Sequence, residues 1–126
     1  MEKEIIATSN APKAVGPYSQ AVKANGFLYI SGQLPIVPAT GEFVSSDVAE
    51  QAEQCVKNLI AILAEAGMTL DNVVKCTVFL TDIADFGRVN EVYAKYFKAP
   101  YPARSAFAIT ALPKGGLVEI EAIAAV

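Results

Sequence analysis

The chain contains no histidine. That absence removes the Ser-His-Asp triad, the Cys-His pair, the HExxH zinc motif and every histidine general base. Any catalysis must run on carboxylates, tyrosine, arginine, lysine, backbone groups or an oriented water. Cysteine is nearly as scarce. Cys55 and Cys76 are the two thiols, they fit no CxxC spacing, and each falls in an apolar periodic segment. The expectation is two buried, unpaired thiols in a reducing compartment.

Charge is scarce as well. Only 18% of the residues are charged and 53% are hydrophobic, against roughly 25% charged in an ordinary globular chain. The net charge is −3 and the pI near 4.9. The lysines fall one at a time, so no basic cluster marks a nucleic-acid partner. No window is long and apolar enough to span a membrane, and the start, MEKEIIATSN, has no apolar core of the kind a signal peptide carries. A cytoplasmic location is expected. No glycine-rich loop leads into a helix, so no phosphate cradle is in view.

What remains is 126 residues, enough for one domain spanning 1–126 with a hydrophobic core independent of disulfides or metals. A chain this small and apolar is expected to hide surface against copies of itself. Glu4 to Ala7 reads as a strand. Ala21–Ala24 and Phe27–Ile30 flank Asn25-Gly26, a strong hairpin signal. Ser31-Gly32-Gln33 ends the returning strand, and the stretch from Leu34 to Phe43 reads as a loop. Asp47, with Glu50 three residues on, resembles a helix cap and its capping-box partner. Val48, Ala52, Cys55, Leu59, Ile62 or Leu63, and Ala66 then mark one apolar helical face, closed by Gly67. Val73–Leu80 reads as a central strand. A second helix from about Asp85 to Phe97 carries the stripe Phe86, Val89, Val92, Tyr93, Tyr96 and Phe97. Two closing strands, Arg104–Thr110 and Leu117–Ala125, flank the turn LPKGG. This order predicts an α+β fold with a sheet and two helices packed on one face. In the last strand Val118, Ile120, Ala122 and Ala124 would face the helices. Leu117, Glu119, Glu121 and Ile123 would face outward, a surface suited to burial by another subunit.

Arginine is the other scarce residue, present only as Arg88 and Arg104. Arg104 stands behind Pro102 at the mouth of the run Ser105–Ile109, which reads as a buried strand. A guanidinium there is either paired or set to receive an anion. The structural alternative is an ion pair with Glu119 or Glu121 on a neighbouring hairpin strand. The functional one is a carboxylate clamp. Without histidine, Glu119 is the plausible group to orient a water, with Glu121 on the same face as its competitor. Gly16-Pro17-Tyr18-Ser19 is a turn, or a rigid mount for a tyrosine hydroxyl. Ser31-Gly32-Gln33 is a backbone bend, or an approach of main-chain amides to a ligand.

GPYSQAV, LYISGQLP, VNEVYAKYF and PARSAFAITALPKGGLVEIEAIA occur in this order over nearly the whole chain. Together they resemble the reactive intermediate deaminase (Rid, YjgF-type) family. The resemblance implies a chorismate-mutase-like mixed sheet, assembled as a barrel-centred homotrimer with clefts between subunits. It also implies hydrolysis of enamines and imines such as 2-aminoacrylate and 2-aminocrotonate to 2-keto acids and ammonia, with no cofactor and no metal. Carried across, Arg104 would grip the substrate carboxylate and Glu119 would position the attacking water. Tyr18 of an adjacent subunit would close the cleft. Ser31, Gly32 and Asn90 would line the pocket. Many members have cysteine where this chain has Ala106, so only the backbone can contribute there. A second reading is a non-catalytic binder of 2-keto acids or similar carboxylates.

Overall fold

A computed structural model describes residues 2–126. Three antiparallel strands open the chain: β1 (Glu4–Ile6), β2 (Ala21–Ala24) and β3 (Phe27–Gln33). Asn25 and Gly26 connect β2 to β3 with φ of 53° and 82°, the left-handed pair that a tight hairpin needs and that Asn-Gly tolerates best. β3 runs three residues further than its apolar alternation suggests. Its register against the last strand slips between Ile30 and Gln33, so Ser31-Gly32 forms a bulge rather than an end.

The stretch read as a loop after β3 instead contains a small hairpin, β4 (Ile36–Val37) and β5 (Glu42–Phe43). It turns at Gly41, whose φ is 75°. Its strands are too short to show periodicity. The buried Asn58 side chain fixes it by donating to the carbonyls of Leu34 (3.1 Å) and Ile36 (2.9 Å).

Helix α1 (Val48–Glu65) starts where Asp47 accepts from the Glu50 N–H at 3.0 Å. The reciprocal half of the expected capping box is missing, since the Asp47 N–H donates to Ser45 Oγ. Arg88 pairs with Asp47 at 2.7 Å and holds that carboxyl below its usual range. Gly67, at φ 74°, ends the helix while the Met68 N–H reaches back to the Leu63 carbonyl. A 3-10 turn (Leu70–Asn72) leads into strand β6 (Val73–Leu80), followed by a second such turn (Ile83–Asp85), helix α2 (Phe86–Tyr96), strand β7 (Ala103–Ala108), a third turn (Pro113–Gly115) and strand β8 (Val118–Ala125).

The sheet order is β1-β2-β3-β8-β6-β7, antiparallel except for the β6–β7 pair, which α2 joins in parallel. The two closing strands are therefore not a hairpin, because β6 lies between them. β7 is an edge strand and largely exposed, not the buried strand its apolar run suggested. Both helices lie on one face. Leu28, Ile30, Cys76, Val78, Leu80, Val118 and Ile120 turn toward them and form the core with Cys55, Leu59, Ile62 and Leu63. Leu117, expected on the outer face, instead packs at the core margin. Both cysteines are buried and free. Burial, the main cause in each, pushes their thiols up, Cys76 to about 11. Among the described residues, no helix is long and apolar enough to cross a membrane.

The other face of the sheet has no layer over it. Ile5, Val22, Tyr29 and Ile123 stand in register across four strands, with Ile5 and Tyr29 each about half exposed at 54% and 47%. Phe79 and Phe107 stack on the same face further along.

Candidate active site

The residues singled out from the sequence fall into two groups on opposite faces of the sheet. The first group lies on the open face. Glu119 is paired with Phe79 across β8 and β6 and is half buried. The β3 bulge brings Gly32 against it: a Cβ on Gly32 would lie 2.7 Å from both Cδ and Oε1 of Glu119. Only glycine leaves that carboxylate its present place. Burial raises the Glu119 pKa above the ordinary value, and the like charge of Glu121 adds to the rise. Among the described residues no hydrogen-bond donor or cation is bound to it.

Ser31 ties the tyrosine loop to the same bulge. Its Oγ donates to the Ser19 carbonyl at 2.6 Å and its N–H to the Gln20 carbonyl at 2.9 Å. The buried Gln20 amide in turn bonds Thr8 and Pro12, fixing the path from β1 to β2. Tyr18 projects from this braced loop with about half its surface exposed. Thus Ser31 is a strut beneath the loop, with its hydroxyl already committed.

The second group lies on the helix face, at the β7 edge. Arg104 is paired with Cys76 in register and so points toward α2. Its Nη1 donates to Asn90 Oδ1 at 2.7 Å. Its Cζ lies 4.7 Å from the centre of the Tyr93 ring and 5.3 Å from that of Phe86. Among the described residues no carboxylate lies within ion-pair distance of it; the ion pairs are Lys57–Glu53 and Arg88–Asp47. The anticipated pairing with Glu119 or Glu121 is therefore absent, because those side chains stand on the other face and β6 intervenes. Ala106 lies two residues on, on the same side of β7 as Arg104, paired with Val78. Arg104, Asn90, Tyr93, Ala94, Tyr101 and Pro102 line an open cleft of about 400 Å³. A smaller hollow of about 190 Å³ lies on the open face among Tyr29, Lys75, Thr77, Glu121 and Ile123.

In the sequence Phe86 and Tyr93 read as part of the apolar stripe of α2, and Tyr101 as part of the loop that follows it. The available signal was spacing: Phe86, Asn90 and Tyr93 stand at i, i+4 and i+7, so one helix face presents two rings and an amide together.

The chain is thus an α+β protein with a sheet left open on one face, an arginine free of any carboxylate on the other, and a half-buried glutamate set against a glycine bulge. A sequence profile of the Endoribonuclease L-PSP family matches residues 8–126, and the chain belongs to that family, whose Rid-type members it resembled in sequence. It is 58% identical over 120 residues to RutC family protein y4sK of Sinorhizobium fredii, covering 95% of each chain. It is 55% identical over 122 residues to the 2-iminobutanoate/2-iminopropanoate deaminase of Bos taurus, covering 97% of this chain and 89% of that one. The crystal structure of YyfA from Yersinia pestis, described as a protein of unknown function of the conserved Rid family, superposes with a TM-score of 0.97 at 53% identity, covering 99% of this chain and 100% of that one.

The Gly32 contact makes a local prediction. Gly32→Ala meets the far end of a flexible side chain rather than backbone, so the fold absorbs it and Glu119 swings away. The expected result is a melting temperature within a few degrees of wild type, with turnover cut at least tenfold. Equal turnover in Gly32→Ala would show that the position of Glu119 against the bulge has no catalytic importance.

Proposed function

We propose that this chain is a hydrolytic deaminase of reactive enamine and imine acids such as 2-aminoacrylate and 2-aminocrotonate, producing 2-keto acids and ammonia. The observation that carries the reading is Arg104: a guanidinium fixed by two rings and an amide, free of any carboxylate, lining an open cleft. A planar fork of N–H donors matches a substrate carboxylate. The bovine relative is named as a deaminase of 2-imino acids, which are carboxylates of this kind.

The chemistry asks little of the protein. An enamine tautomerises when its C3 takes a proton, giving the imine. Protonated on nitrogen, the imine is electrophilic at C2. A water oxygen bonds to C2 and gives a proton to a nearby base. The base returns that proton to the carbinolamine nitrogen, which leaves as ammonia as the hydroxyl gives its own proton to the base and the keto-acid carbonyl forms. Orientation supplies most of the rate, so a site without histidine suffices. Glu119, desolvated and unpartnered, is the base that positions and deprotonates that water. Backbone at Ala106 supports the substrate beside Arg104, and Tyr18 covers it.

Arg104 and Glu119 occupy opposite faces of one sheet, so a three- or four-carbon acid cannot touch both within a single chain. The reading therefore requires a second copy, with Tyr18, Gly32 and Glu119 of one protomer facing Arg104 and Asn90 of the next. A homotrimer closed around the open sheet faces supplies three such junctions and buries the row Ile5, Val22, Tyr29 and Ile123. The family name, Endoribonuclease L-PSP, points to RNA cleavage. A chain of net charge −3 without histidine offers neither a phosphate-binding surface nor the usual acid-base pair for it.

The test generates the imine in situ with an amino-acid dehydratase and follows keto-acid and ammonia release. Addition of the protein is expected to accelerate release, and light scattering to give about three times the chain mass of 13.3 kDa. No acceleration, with pyruvate still bound, would replace the deaminase by a keto-acid binder. A monomer in solution would leave the two halves of the site apart.

A further inference from the structure

We infer that Phe86 and Tyr93 are positioning residues which hold the Arg104 guanidinium in one orientation as a fork for a planar carboxylate. This deepens the proposed function and rests on it for the identity of the ligand. Three features of α2 converge on one side chain. The Tyr93 ring is 4.7 Å from Cζ and the Phe86 ring 5.3 Å from it, within the range where a ring face attracts a cation. Asn90, between them on the same helical face, takes one N–H at 2.7 Å. Both rings thus lie within cation–π range of the guanidinium, which is held at one nitrogen, and its remaining donors are left for the cleft.

The clamp is itself anchored. Tyr93 is buried and stacks on the buried Phe97, ring centres 4.2 Å apart and planes 17° apart. The buried Tyr93 hydroxyl lies against the weakly polar Cys76 thiol. The Tyr93 ring packs against both Phe97 and Arg104. The ring faces Arg104, which has Cys76 as its register partner on β6. Sheet and helix therefore agree on one place for the guanidinium. An ammonium at the same point would keep the attraction of the rings but lose the planar fork.

Because the chain has only two arginines, side-chain Nε–Hε spectra of arginine-labelled protein contain two signals, and Arg104→Lys identifies which is which. Protons over a ring face are shielded, so the Arg104 signal is expected upfield of that of Arg88. Tyr93→Leu and, separately, Phe86→Leu should move it downfield, whereas Tyr93→Phe should leave the shielding in place. The Arg88 signal, held by Asp47 elsewhere, reports that each variant is folded. Pyruvate should perturb the Arg104 signal alone, with binding weakened roughly 3- to 30-fold by Tyr93→Leu and rescued by Tyr93→Phe. In an Arg104→Ala background, Tyr93→Leu should add no further loss.

An Arg104 resonance and a pyruvate affinity both unmoved by Tyr93→Leu and Phe86→Leu would overturn the assignment. A resonance that depends on Tyr93 but never responds to pyruvate would uphold the clamp and remove the carboxylate as its ligand. These outcomes separate a failure of the positioning role from a failure of the deaminase reading.

Discussion

Arg104→Ala is expected to abolish imine turnover and to weaken pyruvate binding on the order of 100-fold or more, while leaving the melting temperature nearly unchanged. The two halves of this expectation have different origins. Loss of binding follows from removing the one charged, planar donor in the cleft, since a bidentate guanidinium–carboxylate pair is among the stronger polar contacts available. Retention of stability follows because the residue is exposed, sits on an edge strand, and makes one hydrogen bond and two ring contacts. Calorimetric titration with pyruvate, alongside a thermal melt, reads both. Unchanged pyruvate affinity would remove Arg104 from the site.

Arg104→Lys sharpens the same point. A lysine ammonium keeps the charge and can still reach an amide such as Asn90. It cannot donate two parallel N–H groups to a carboxylate, nor offer Phe86 and Tyr93 a planar group. Most of the binding should therefore be lost despite the conserved charge. A lysine variant that binds pyruvate like wild type would mean that charge alone selects the ligand and that the aromatic clamp is ornamental.

The elements with long, unbroken periodicity were legible in the sequence. The apolar face from Val48 to Leu63, the alternation of Val118, Ile120, Ala122 and Ala124, and the Asn25-Gly26 turn each dictate their conformation locally. What was not legible depends on which strands become neighbours. The parallel insertion of β6 between β7 and β8 has no signature in the closing strands themselves, and the pairing imagined between Arg104 and Glu119 failed for that reason. Edge position likewise leaves no mark on composition, so Ser105–Ile109 read as buried when β7 in fact lies exposed at the rim. The β3 bulge was marked by Gly32, but its purpose shows only when Glu119 is seen against it. The candidate residues were found as types, and their division between two faces became visible only in three dimensions. Under the proposed deaminase reading, that division makes self-association a requirement of the chemistry rather than an accessory to it.

Glu119→Gln is expected to cut turnover by about 10²–10⁴-fold while leaving pyruvate binding intact, because the amide keeps the shape but cannot take a proton from water. It is also expected to raise stability at neutral pH, and the sign follows from the environment. Burial first, and the charge of Glu121 second, raise the folded-state pKa of Glu119 above its ordinary value of 4.5. A carboxyl that binds its proton more tightly folded than unfolded favours the fold at low pH. It loses that advantage as pH rises through the window between the two pKa values, and at pH 7 the ionised group burdens the native state. Glutamine carries no such burden, so the variant should melt higher than wild type at pH 7. The difference should vanish below about pH 4, where both states of the wild-type chain are protonated. In kcat/KM profiles of the wild-type protein the same raised pKa is expected to place the acid limb above the ordinary carboxylate range. Glu121→Gln should move that limb downward, by less than the whole displacement since burial is the larger cause. A Glu119→Gln protein that turns over imine at the wild-type rate would remove the base from the mechanism. One that loses turnover but melts lower at pH 7 would mean that the carboxylate is satisfied in the assembled protein by a partner that a single chain does not supply.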